Sequence, residues 1–451
     1  MLLKSRAKEE FNIEPIRSEE LESWINECIC IYKGNPSWID AEDGIDSINM
    51  AKTVCSEVSR LGVMGIGIHI SGSARANWLE EEINKINFRE WLEYACAYGL
   101  IILKPNGKDV DLYLPGEYEI THISGGKIDG IVFHNCEKVG DKWYTRLEYH
   151  RFENDRYVIT NKCYVGDAPS DTKKTIDIGL TPWAGMAEEV HIQNVEKPLF
   201  APLRTPQANN IVLNSPVGLP LFSEAVQELR DLDIAYSRNA TEIFDSKRTV
   251  MVDESLIAQT GMPVAQSSHA MKAQAKQRGL PDMVKIVRGD GLKSFYQEIN
   301  PTLNTEERLK GLNALLSQIG FKVGFSNGYF VFNEKTGMVT ATQVESDDRR
   351  TIQLIKDIRD KLEDCIHSLA YALNVFADLY GLAARGTYEV TFDFGDITYN
   401  REEDRARWWG YVQSGKVPAW MYFVKFEGIP EEDAKAMVAE AQPVATSLFG
   451  S

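Results

Sequence analysis

Few residues in this 451-residue chain have the types and spacing that chemistry demands. Gly324-Phe325-Ser326-Asn327-Gly328 matches G-x-S-x-G. A nucleophile elbow needs a strand before that serine and a helix directly after it. Here Tyr329-Phe330-Val331-Phe332 follows, which reads as strand or loop, and no His/Asp partners stand out. The string therefore reads as a glycine-hinged loop. Gly62-Val63-Met64-Gly65-Ile66-Gly67 carries the glycines of a dinucleotide fingerprint in the wrong order, with no βαβ unit around it, and a tight strand–turn is expected instead. No G-x-x-x-x-G-K followed by Ser or Thr occurs, so the chain has no P-loop and is not expected to be an ATP-driven motor.

Carboxylates gather at Glu345/Asp347/Asp348, Asp393/Asp396 and Glu402/Glu403/Asp404. Metal or acid–base chemistry would need them to converge in an apolar pocket. On a helix Glu345 and Asp348 face one way, but Arg349 and Arg350 stand beside them, which suits ion pairs within or between subunits. The seven histidines (69, 122, 134, 150, 191, 269 and 367) form no i,i+3 or i,i+4 pair, so no metal centre is expected. Trp408-Trp409, with Trp420, Tyr422 and Phe423, has the composition of a stacking platform. Aromatic residues also dominate cores and subunit interfaces, and that reading is preferred. Neither catalysis nor a cofactor is expected.

Elements must hold these groups. The composition is ordinary for a globular protein, 43% hydrophobic and 25% charged, and the length calls for two to four modules. The net charge of −17 argues against a broad grip on nucleic acid, although DNA can slide past an acidic wall. The seven scattered cysteines read as reduced, structural thiols. The opening MLLKSRAKEEFNIEP turns polar after three residues, and no apolar run is long enough to span a bilayer. A soluble protein made in a cytoplasm is expected.

Residues 1–100 read mostly helical, with apolar faces at Leu21/Trp24/Ile25/Cys28 and Leu79/Ile83/Ile86/Trp91 and a strand within 62–72. From Gly99 the period shortens to an antiparallel meander, punctuated by Asn106-Gly107, Gly125-Gly126 and Gly140-Asp141. Proline-rich residues 170–220 are expected to cross between modules. A helix over 222–244 follows, with Leu229, Leu232, Tyr236, Ala240 and Ile243 on one face. Next come strand-like RTVMVDESLI and a strand pair around DMVKIVRGD and LKSFYQEI. A second helix is capped by Asn304, with Glu307 at the capping-box position and Leu309, Leu312 and Leu316 on a face. After the Gly-rich stretch 322–338, a helix of roughly 40 residues, about 60 Å long, starts near the Thr342/Glu345 capping box. Its first half is crowded with charge and its second half nearly free of it, so it is expected to pass from one environment into another. A strand at TYEVTFDFGD and short helices ending at 431–441 complete the chain.

This order resembles the portal proteins of tailed bacteriophages, particularly the SPP1-like siphovirus group, over nearly the whole chain. The most specific stretch is GYFVFNEKTGMVTATQVESDDRRTIQLIKDIRDKLEDCIHSLAYAL (328–373), whose T-A-T-x-V looks like the opening of a portal tunnel helix. SPVGLPLFSEAVQELRDLD (215–233) looks like the entry to a stem, LEYHRFENDRYVITNKCY (147–164) is similar to a β-rich wing, and 390–441 resembles the approach to a crown.

The resemblance implies an α+β portal fold with a mixed wing (1–220), stem helices (221–246 and 303–321), a small α/β clip (247–302), and a wing return (322–400). Within that return lie a tunnel loop (326–340) and a long kinked helix (341–381), and a short helical crown follows (401–451). It implies a non-enzymatic ring of about 12 subunits at one capsid vertex of the virion, assembled in the host bacterial cytoplasm with no membrane. Double-stranded DNA would pass through the ring. The terminase large-subunit ATPase, adaptor or head-completion proteins, the major capsid protein and scaffolding protein would be its partners. Asn327, Asn333, Lys335, Thr336 and Gly337 would face DNA, with Lys322 flanking the loop and Gly324 and Gly328 as its hinges. Glu345, Asp348, Arg349 and Arg350 would meet the neighbouring subunit. The competing expectations are another structural virion protein, such as an adaptor or minor capsid component, and an enzyme using Ser326 or a carboxylate-bound metal.

Overall fold

The computed structural model describes residues 8, 10–16, 18–39, 42, 44–107, 109–245, 249–253, 284–287, 296–299, 304–332, 349–394, 401–414, 416–427 and 429–440. They form a mixed α+β chain in two compact units, 1–63 with 68–392, and 64–67 with 393–451.

The first unit opens with four helices, α1 (Glu19–Tyr32), α2 (Met50–Gly62), α3 (Ala74–Asn84) and α4 (Phe88–Tyr98). The strand β1 (Gly67–Gly72) lies between α2 and α3. Ser18, Asn49 and Asn87 cap α1, α2 and α4 through their side chains, accepting from the backbone N–H of Leu21, Lys52 and Glu90.

The meander forms at the expected strands but divides between two sheets. The strands β2 (Leu100–Asn106) and β3 (Asp109–Tyr113) make a hairpin whose other edge is covered by β10 (Ala201–Arg204). The larger sheet runs β4 (Tyr118–Ser124), β5 (Lys127–Val139), β6 (Lys142–Glu153), β7 (Arg156–Gly166), β8 (Lys174–Ile176), and β9 (Glu189–Gln193) also pairs with β7. Residues 170–220 therefore do not simply cross between modules. Three short strands in that segment pair back onto both sheets.

Turn chemistry sets the hairpin registers. Ser124 pairs with Lys127 and Val139 with Lys142, which leaves Gly125-Gly126 and Gly140-Asp141 as two-residue loops. Glu153 pairs with Arg156 across Asn154-Asp155, both at positive φ (49° and 60°), a conformation that Asn and Asp tolerate better than other non-glycine residues.

The core lies between the sheets and under one long helix, α7 (Arg349–Tyr380), about 48 Å at 1.5 Å per residue. Leu100, Ile102, Ile131, Phe133 and Phe200 close the inter-sheet core, while Ala372 and Phe376 of α7 pack with Tyr157, Ile192 and Leu199. The buried stripe of α7 runs unbroken from Leu354 through Ile358, Leu362 and Ile366 to Leu373 and Phe376. Each such side chain contributes about 1.5–3 kcal/mol of burial. Along the first half of α7, Arg349, Arg350, Lys356 and Asp360 are exposed on the outer face, whereas Arg359 is buried. Its guanidinium donates to the carbonyls of Leu61 and Gly62 at the end of α2.

Two further helices, α5 (Val226–Asp245) and α6 (Thr305–Val323), flank a small three-stranded sheet. Its strands are β11 (Thr249–Asp253), β12 (Val284–Val287) and β13 (Tyr296–Ile299). The expected pairing of β12 with β13 is not formed. The central strand is β11, parallel to β12 and antiparallel to β13. Asn304 occupies the N-cap position of α6 but makes no side-chain cap bond. The last strand of this unit, β14 (Tyr388–Asp393), pairs with β1.

The second unit contains α8 (Arg401–Gln413), α9 (Ala419–Glu427) and α10 (Glu431–Glu440). Among its described residues Tyr422, Phe426 and Ala434 are buried, with Trp408 edge-on to Phe426 and Trp409 edge-on to Tyr422. The tryptophan pair thus serves a small aromatic core, although Trp409 keeps 42% of its surface exposed.

Candidate functional site

The helices α5 and α6 lie side by side. Lys322 Nζ sits 2.7 Å from Glu228, and Arg308 pairs with Glu242. The step from Glu228 to Glu242 equals the step from Arg308 to Lys322 run in the opposite sense, so the helices are antiparallel. Leu229 and Leu232 are buried on α5, and Leu312, Leu316 and Ile319 on α6. Further along the same face of α5, Tyr236 and Ile243 stay 43% and 51% exposed. Trp38 and Ile48 both meet α5 at Asp233, which accepts from Trp38 Nε1 (2.9 Å) and from the Ile48 N–H (3.0 Å).

Beyond α6 the chain turns back. Gly324 is the C-cap at φ +109°, and its N–H donates to the carbonyls of Gly320 and Phe321. Phe325 is fully buried and packs on Tyr329 and Phe330 at 4.7 and 4.8 Å between ring centroids. Tyr329 donates to Glu57, which Arg60 grips with two hydrogen bonds. The Phe332 N–H donates to Asn313 Oδ1 on α6 at 2.9 Å. Ser326 follows a helix, not a strand, so it has no nucleophile-elbow geometry, and its hydroxyl bonds Thr351.

Of the residues singled out from sequence, Asn333, Lys335, Thr336, Gly337, Glu345 and Asp348 lie outside the described residues. Asn327 is exposed on the turn after Ser326, and Gly328 takes φ +75° with open space around it. Lys322 is held by Glu228 and by the Glu224 carbonyl. Arg349 is exposed. Arg350 donates to the Phe321 carbonyl (3.0 Å) with its guanidinium 3.8 Å above the Phe321 ring, so it links α7 to the end of α6.

Sequence reasoning missed a buried ionic cluster between the two sheets. Glu148 on β6 accepts from Lys104 Nζ of β2 (2.6 Å), Arg146 lies 3.0 Å away, and His150 Nε2 bonds the other carboxylate oxygen at 2.9 Å. His150 Nδ1 meets the Tyr157 hydroxyl, which accepts from the Leu199 N–H. Burial by itself pushes Glu148 upward, but Lys104, Arg146 and His150 together hold its carboxyl well below the usual range. Burial pulls Lys104 and His150 down against the attraction of Glu148. The spacing 146, 148, 150 puts all three on one strand face, and a cation in the apolar run LIILK is the matching signal. Both oxygens of Glu148 are engaged by its neighbours, so the cluster clamps sheet to sheet and leaves little lone-pair capacity for a substrate.

No His/Cys/Asp/Glu group among the described residues could hold a metal ion, and no helix among them is long and apolar enough to cross a membrane. All seven cysteines are free. No protein-family model and no curated protein matches this chain.

Proposed function

We propose that this chain is the subunit of a phage portal, a ring at one capsid vertex through which double-stranded DNA is packaged and later released. One arrangement carries the reading: an antiparallel helix pair, α5 and α6, brackets a small mixed sheet, and α6 leads through a tight turn towards the long helix α7. In a portal the helix pair is the stem, the bracketed sheet is the clip that docks the terminase ATPase and then the adaptor proteins, and α7 spans the wing. The residual apolar surface of α5, at Tyr236 and Ile243, suits a helix that acquires a neighbour on assembly.

The charge supports the same reading. A wall of net negative sign repels phosphate and lets DNA slide, where a basic surface would hold it. Contact with DNA falls to a few residues, Asn327, Asn333, Lys335, Thr336 and Gly337. The chain lacks a P-loop, so force on the DNA comes from a separate ATPase.

Native mass spectrometry and negative-stain imaging of the purified chain test the proposal. A ring of about 12 subunits with a hole wide enough for duplex DNA is expected. A monodisperse monomer at every concentration tried would sink it.

A further inference from the structure

We propose that Ser326 and Thr351 are positioning residues: a clasp that fixes the neck of segment 327–350, so that a load on that segment is delivered to α6 and α7 together. The inference rests on the portal reading for what the load is, but the clasp itself stands on geometry. The bonds are reciprocal. The Ser326 N–H donates to Thr351 Oγ1 (2.9 Å), the two hydroxyl oxygens lie 3.0 Å apart, and the Thr351 N–H points at Ser326 Oγ (3.4 Å). Both residues are nearly sealed from water, at 4% and 5% exposure. Water does not compete for hydrogen bonds at that depth, and breaking one strands its partner.

The surroundings narrow the same neck. A Cβ on Gly324 would sit 3.4 Å from Leu354 of α7. Arg350, one residue before the clasp, is bonded to Phe321 on α6. Phe325, Tyr329 and Phe330 stack beside it, and Tyr329 reaches Glu57 on α2. Helices α6 and α7 therefore cannot separate at this point without breaking buried polar bonds. In this arrangement Gly324 is the C-cap of α6.

The full-length chain carrying Ser326→Ala, Thr351→Val, both changes, or Thr351→Ser tests the clasp by amide hydrogen exchange. In Thr351→Val the Ser326 amide should exchange about tenfold faster, while Thr351→Ser, which keeps the hydroxyl, should stay near wild type. Adding Ser326→Ala to Thr351→Val should cost little more, because the two residues act as one unit. In assembled rings, DNA retention should fall with each clasp-breaking variant and recover in Thr351→Ser. Exchange within about twofold of wild type in Thr351→Val, or additive effects in the double variant, would overturn the clasp. Faster exchange with unchanged retention would overturn its role in transmitting load. If the wild-type chain forms no rings, the portal reading fails, and the exchange data alone decide the clasp.

Discussion

Residue by residue, this chain keeps its most demanding polar groups inside. Arg75 is 1% exposed and satisfies the end of α7, donating to the carbonyls of Asn374, Ala383 and Ala384 and to Asp378. Two of those carbonyls, Ala383 and Ala384, lie just past the end of α7, and a cation at a helix C-terminus also interacts favourably with its dipole. The Glu148 cluster has a pH consequence with a definite sign. His150 titrates lower in the folded chain than its ordinary 6.5, so as pH falls past that value the unfolded chain takes up the proton first and stability begins to drop. Glu148, held well below its ordinary 4.5, adds a second loss as pH falls below that value. The melting temperature should therefore decline in two acid stages. His150→Gln should remove the upper stage, and an unchanged melting profile between pH 7 and 5 in that variant would count against the account. None of these partnerships was legible in advance: Arg75 and Lys104 are ordinary basic residues until the chain encloses them.

Among elements, the α5–α6 register is the feature most open to a direct test. Its two ion pairs are partly exposed, so each contributes only about 0.2–1 kcal/mol. Glu228→Lys should set two cations against each other and cost about 1 kcal/mol, and Lys322→Glu in the same chain should recover most of that loss. Chemical denaturation of the four chains in this cycle measures it, and failure of the second change to rescue would mean the helices are not held in this register. Helix type and apolar stripes were legible here, since Leu229, Leu232, Leu312 and Leu316 recur at helical spacing. That the Asn304 side chain makes no cap bond was not legible, because a cap position does not oblige its side chain to bond. The pairing order of β11, β12 and β13 was hidden for a related reason: strand-like runs announce themselves, but their partners do not.

For the whole molecule, net charge makes the sharpest prediction. If the chain assembles into the proposed ring, a channel lined by subunits of charge −17 should hold free duplex DNA weakly. Fluorescence anisotropy over a salt series should give a shallow log–log slope, of about −2 or less in magnitude, reporting release of very few counterions. A slope steeper than about −5 would indicate a surface that grips phosphate, contrary to a sliding channel.

The sequence by itself determined what is local. Alternation and period marked the strands and helices, paired glycines fixed two-residue turns, and the stripe from Leu362 to Phe376 announced a long buried helix. These properties follow from φ/ψ preference and side-chain direction, which neighbours along the chain dictate. Only the tertiary structure decided how the strands divide into two sheets, which strand stands centrally in the small one, and where the charges of α7 end up. It also turned the serine of a G-x-S-x-G string into half of a clasp and brought Lys104 to Glu148. Such pairings join residues far apart in sequence, and their energy arises from desolvation and complementary contact, which exist only once the chain has closed around them.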